Sequence, residues 1–171
     1  MIKNNKDVFD AIGASKVEVV SFCNYPGQSV LKKPYTKNPE DLTRYDFASF
    51  FKKSYREKDW YGWVFRKDFM KKAKVVYEFE TFYNQSKYLY PAQVDFFRAM
   101  GVQTASMWHY SMPRYAPYRN GSHHLSLTST PAKAAAYTVA GELFKSLPLY
   151  HEYDIMLSLI HISEPTRRYR I

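Results

Sequence analysis

The chain has 171 residues, 46% hydrophobic and 24% charged, which suits one globular domain with a real core and excludes a disordered chain. Its net charge of +9 is not gathered into a patch: the longest Lys/Arg concentration, Lys67–Lys74, is broken by Asp68, Phe69 and Met70. That is the spacing of a solvated helix face, so nucleic acid is not the expected partner.

Met1-Ile2-Lys3 leads into polar Asn4-Asn5-Lys6 rather than an apolar leader, so no signal peptide is predicted. Lys6–Ala14 has apolar residues at 8, 9, 11 and 12 and predicts a short helix closed by Gly13. Val17–Phe22 is rich in β-branched residues and predicts a first strand, ended by the Pro26-Gly27 turn. Residues 28–43 carry two prolines and predict a long loop. Tyr45–Tyr55 and Phe65–Lys72 predict helices around the aromatic Trp60–Trp63 stretch.

A second strand is predicted over Lys74–Phe79 and a helix over about Tyr88–Met100, with Gly101 as its C-cap. Val102–Trp108 predicts the third strand. A Tyr/Pro/Gly/His loop over Tyr110–Ser129 then leads to a last helix, Pro131–Ser146, with Thr130 as N-cap and Pro131 at its first position. His123 and His124, within that loop, point to opposite sides of an extended segment and make a poor chelate. The single Cys23 allows neither an internal disulfide nor a multi-cysteine metal site. No metal or other cofactor is expected. No apolar run reaches 18 residues, so no membrane span is expected.

Strands alternating with helices imply an α/β fold of parallel βαβ units with right-handed crossovers. Each strand is followed by a long aromatic loop, which marks the functional face in TIM barrels and doubly wound sheets alike. None of the turns is a GxGxxG or a P-loop, which a doubly wound nucleotide site needs. Three strands are too few to close a barrel, so a partial (β/α)8 barrel is expected.

Residues 76 and 78 share one face of a strand, 75 and 77 the other. With Val75 and Tyr77 packed on the helices, Glu78 emerges at the mouth. A carboxylate ending a buried strand costs several kcal/mol unless it is paired or reactive. Trp108 ends the next strand and Tyr25 lies just past the first, so three strand ends bring Tyr, Glu and Trp to one mouth. A retaining glycosidase needs these parts: a carboxylate nucleophile, a hydroxyl to orient it, and an indole under the sugar. The 16 Tyr, 12 Phe and 3 Trp suit such stacking as well as core filling.

KVVYEFE (Lys74–Glu80), YLYPAQVDFFRAMGVQTASMWHY (Tyr88–Tyr110) and HHLSLTSTPAKAAAYTVAGELFKSLP (His123–Pro148) resemble the C-terminal third of a clan-A (β/α)8 glycoside hydrolase. The likeness is to family-5-like cellulases and β-glucanases, especially secreted polysaccharide-degrading enzymes of gut and environmental Bacteroidetes. It covers about Lys6–Tyr150, strands six to eight with their helices. The resemblance implies Glu78 as nucleophile at the end of strand seven, Trp108 as the strand-eight tryptophan under the sugar, and Tyr25 as the strand-six aromatic. His109 and Tyr110 are candidates for binding substrate hydroxyls, His123 and His124 for closing the cleft, and Trp60 and Trp63 for a distal sugar platform. Where the clan often has His two residues before that tyrosine, this chain has Cys23. Glu80 falls where the clan commonly has Gly or a small acidic residue, and is read as a support or loop cap.

The resemblance also places the general acid/base on strand four, usually in an Asn-Glu pair, and no such pair occurs in the chain. The expectation is therefore half of a retaining mechanism, inactive alone, from an enzyme hydrolysing β-glycosidic bonds in a secreted or periplasmic setting. A non-catalytic carbohydrate-binding protein using the same aromatic platform is the alternative. LSLIHISEPTR, Leu157–Arg167, resembles the translation of a sequencing-library adapter, so 157–171 is expected to be non-native and 1–156 to be barrel, with Met1 internal to a longer gene. Without Arg167, Arg168, Arg170 and Glu164, the net charge falls from +9 to +7.

Overall fold

The β-rich stretches pair in parallel, as crossovers of helical length require. In the computed structural model, which describes residues 6–25, 51, 61–81, 87–110, 125–128 and 130–151, β1 (Val19–Asn24), β2 (Ala73–Phe79) and β3 (Val102–Met107) form one sheet in the order β1-β2-β3. Helix α1 (Lys6–Ala14) precedes β1. A 3₁₀ turn, Gly62–Phe65, and a one-turn helix α2 (Lys67–Met70) lead into β2. Helix α3 (Leu89–Ala99) crosses to β3, and α4 (Pro131–Ser146) follows it. The α/β class and the parallel order agree with the sequence reading. The loop at 28–43, the helix at Tyr45–Tyr55 apart from Phe51, the residues Trp60, His123 and His124, and the tail at 157–171 lie outside the described residues.

The core forms where α3 and α4 cover one face of the sheet. Phe22, Val76, Phe79 and Val102 pack with Val94, Phe97 and Met100 from α3 and its cap, and with Ala134 and Ala140 of α4. Phe79 meets Phe97 edge-on at 5.2 Å and Tyr90 at 6.0 Å. Such pairs add to simple area burial. Trp63 belongs here too, stacked on Phe9 at 5.5 Å and edge-on to Phe69 and Phe22. These ring contacts set Trp63, partly buried, against the core, while Trp60 lies outside the described residues.

Three local expectations are corrected. Val76 and Phe79 face the helices, whereas Tyr77 is 52% exposed, so the face assigned to Val75 and Tyr77 is inverted. Helix α1 runs through Gly13 to Ala14; a Cβ at Gly13 would lie 1.8 Å from Asp68 Oδ2, so this glycine permits a close approach rather than a cap. The stretch Phe65–Lys72 is not one helix, because Arg66 is extended (φ −68°, ψ 142°) between the 3₁₀ turn and α2. Its guanidinium is held by Asp68 at 2.7 Å and Asp10 at 2.8 Å.

The cluster Lys67–Lys74 is not wholly solvated either. Lys67 and Lys71 are exposed, but Lys72 and Lys74 are buried. Lys72 Nζ donates to the carbonyls of Ser15 (3.0 Å) and Val17 (2.7 Å). This, with Ser15 Oγ accepting from the Val17 amide, delays the start of β1 to Val19. Lys74 Nζ donates to the Tyr150 hydroxyl at 2.7 Å. Gly101 does close α3, at φ 80°. Thr130 stands at the N-cap of α4, but its hydroxyl bonds the backbone of Ser126 rather than the first turn.

Candidate functional site

Two register shifts decide what the strand ends present. Phe22 pairs with Val76 but Cys23 with Glu78, and on the other side Val76 pairs with Ala105 but Phe79 with Met107. Against both neighbours β2 carries one extra residue, a bulge at Tyr77–Glu78. A bulge re-aims side chains. Here it keeps both Val76 and Phe79 in the core, three residues apart, and turns Tyr77 and Glu78 to the other face. Glu78 thus reaches the open face, but through a bulge and not by strict alternation.

Tyr25, one residue past β1, stands beside the Glu78 carboxylate. Burial pushes its phenol well above the ordinary tyrosine range, reinforced by the nearby carboxylate of Glu78, by Cys23 and by Glu80. Tyr77 is pushed up in the same direction, chiefly by Cys23 beside it, then by slight burial and by Glu78. A phenol held protonated remains a donor, so both tyrosines can act as donors beside Glu78. Cys23, at the end of β1, stands beside Tyr77. The backbone amide of Trp108 donates to the Phe79 carbonyl at 3.1 Å, which sets Trp108 beside the end of β2 with its side chain 55% exposed.

The second carboxylate has a different setting. Glu80 is 1% exposed and paired with Lys133 of α4 at 2.9 Å. Its Oε1 also accepts from the Tyr90 hydroxyl and from the Thr81 amide. Burial lowers the Lys133 ammonium from the usual lysine value, while Glu80 opposes the shift. The same burial, with the Glu80 charge beside it, drives Tyr90 far upward. Asn24, at the end of β1, is likewise buried: its side chain donates to the Tyr61 hydroxyl at 2.9 Å and accepts from Gln93 at 2.9 Å.

Tyr25, Glu78 and Trp108 are therefore gathered at the C-terminal end of the sheet. For His109 and Tyr110 the structure shows backbone pairing with Leu125, through the His109 carbonyl and a parallel bridge; Tyr110 is 49% exposed. Sequence reasoning missed Tyr77, which alternation had assigned to the core side, and Lys133. A lysine in the first turn of a helix runs against the macrodipole, and that was the available signal. Among the described residues no group of three or more His, Cys, Asp and Glu could hold a metal ion, and no helix is long and apolar enough to cross a membrane. Comparison of the chain with protein-family models, curated proteins and solved structures finds no match.

Proposed function

We propose that this chain supplies the nucleophile side of a retaining glycoside hydrolase of (β/α)8 form acting on a β-linked polysaccharide. One observation carries this function: the Tyr25 phenol and the Glu78 carboxylate stand beside each other across adjacent strand ends, at the C-terminal end of a parallel sheet, where α/β folds bind their ligands. Glu78 attacks the anomeric carbon, Tyr25 fixes the attacking carboxylate, and Trp108 supports the sugar ring. The sheet itself supports the barrel form. Parallel sheets have both faces covered, yet here Val19 and Tyr77 stand exposed opposite the helix-covered side, as the lining of a wider arc does.

Retention needs a second carboxyl about 5–5.5 Å from the first, across the scissile bond. Glu80 does not meet that need, being buried and bound to Lys133. The resemblance places the acid/base in an Asn-Glu pair on strand four, and no such pair stands in the sequence, so on this reading the acid/base belongs to a part of the barrel outside this chain. In the complete barrel, Glu78→Gln should lower turnover by at least a thousandfold (~4 kcal/mol). A 2-fluoroglycoside with an activated leaving group should leave its adduct on Glu78, read by peptide mass spectrometry. An adduct on Glu80 defeats the assignment. The exposed rings of Trp108, Tyr77 and Tyr110 favour one other reading, a non-catalytic carbohydrate binder. It predicts saturable binding of glucan oligosaccharides with no adduct at any carboxylate.

A further inference from the structure

The buried cluster behind the strand ends has a geometry that stability alone does not explain. Lys133 Nζ donates both to Glu80 Oε1 (2.9 Å) and to the Thr81 carbonyl (2.9 Å), while Tyr90 and the Thr81 amide bond the same oxygen. Three donors from α3, α4 and the strand end converge on one atom. The other oxygen, Oε2, is buried with no hydrogen bond among the described residues. A buried ion pair of this kind is commonly no more stabilising than apolar residues of similar volume, and often less.

What the cluster does achieve is registration. Glu80 stands two residues past Glu78, and Asn24 directly precedes Tyr25. The Glu80 amide donates to the Asn24 carbonyl at 3.4 Å. Gln93 holds Asn24 and Tyr90 holds Glu80, and these two lie three residues apart, on one side of α3. A single helix therefore sets the positions of both strand ends, and Lys133 locks the second end from α4.

We propose that Glu80 and Lys133, with Tyr90, are positioning residues that hold Glu78 opposite Tyr25. Their importance to catalysis rests on the glycosidase function proposed above; the positioning itself does not. A misplacement of about 1 Å in a reacting group can cost about a hundredfold in rate, a reason to keep a buried charge pair that stability alone would not favour.

The test is the double variant Glu80→Met/Lys133→Met, which removes both charges at similar volume and is expected to fold. The Glu78 side-chain carboxyl is followed by ¹³C NMR in the full chain, with Tyr25→Phe as the reference for a lost phenol beside it. Positioning requires the double variant to move the Glu78 resonance to the Tyr25→Phe value while the fold is retained. A folded double variant whose Glu78 resonance stays at the wild-type position overturns the proposal, as does a Tyr25→Phe variant that leaves the resonance unmoved. Should the double variant not fold, Tyr90→Phe removes one hydroxyl from Glu80 and decides the matter in its place: a shift toward the reference value supports positioning, and no shift overturns it. In the complete barrel the clamp variants should lower the rate of fluoroglycoside labelling by about ten- to a hundredfold. A resonance shift without any labelling of wild type leaves the clamp standing and removes the hydrolase.

Discussion

Gly101 stands at φ 80°, and a Cβ built on it would lie 2.1 Å from the Tyr150 ring. Both facts oppose any side chain there: the left-handed backbone disfavours one, and the ring has no room for one. Moving Tyr150 would also disturb its hydroxyl, which accepts from the buried Lys74. Gly101→Ala should therefore lower stability by about 2 kcal/mol, read as a lower urea midpoint at unchanged slope. The glycine was legible in sequence because a C-cap is a local device. Its second reason was not, since Tyr150 arrives from 49 residues away. Trp108 is the opposite case. Its side chain is more than half exposed, so Trp108→Ala should alter stability by less than about 0.5 kcal/mol. Under the proposed function it should abolish oligosaccharide binding, measured by titration calorimetry. A large fall in stability would place the ring in the core.

The elements themselves were largely legible, because β-branched runs and helix punctuation are local signals. Their facing was not. Alternation from Val75 took the wrong phase, because nothing local says which face of β2 the helices cover, and the bulge at Tyr77–Glu78 that re-aims the strand end depends on pairing with two other strands. Lys72 and Lys74 misled for the same reason: their partners Val17 and Tyr150 are distant in sequence. A similar long-range tie joins α3 to the segment after α4, where Asp95 Oδ1 lies 2.9 Å from His151 Nε2. Burial pushes the Asp95 carboxyl from 3.8 up to about 6, with His151 opposing the shift. The native state therefore binds this proton more tightly than the unfolded chain does. The stabilisation it brings is full below about pH 3.8 and is lost as pH rises through about 6. Asp95→Asn should flatten the stability profile over that window, followed by urea midpoints at several pH values. An unchanged profile would show that Asp95 does not titrate there.

At the scale of the whole molecule, the order β1-β2-β3 leaves β1 and β3 each with one unpaired edge among the described residues. An unpaired edge offers free amides and carbonyls to another chain. On β1, Val19 is 53% exposed and Ser21 is also exposed, so that edge carries no charge to discourage pairing. The open face, with Val19 and Tyr77, adds apolar surface beside it. Parallel sheets seldom tolerate such exposure, and the chain should self-associate reversibly as its concentration rises. Val19→Lys tests this, because a lysine on an edge opposes strand addition while the exposed position has little packing to lose. Light scattering after size exclusion should show wild type shifting to larger species with concentration and Val19→Lys remaining monomeric, at a urea midpoint within about 0.5 kcal/mol of wild type. Equal self-association of the two would move the contact away from β1, leaving the β3 edge or the open face as the associating surface. A monomer for both would mean that the sheet edges are already protected.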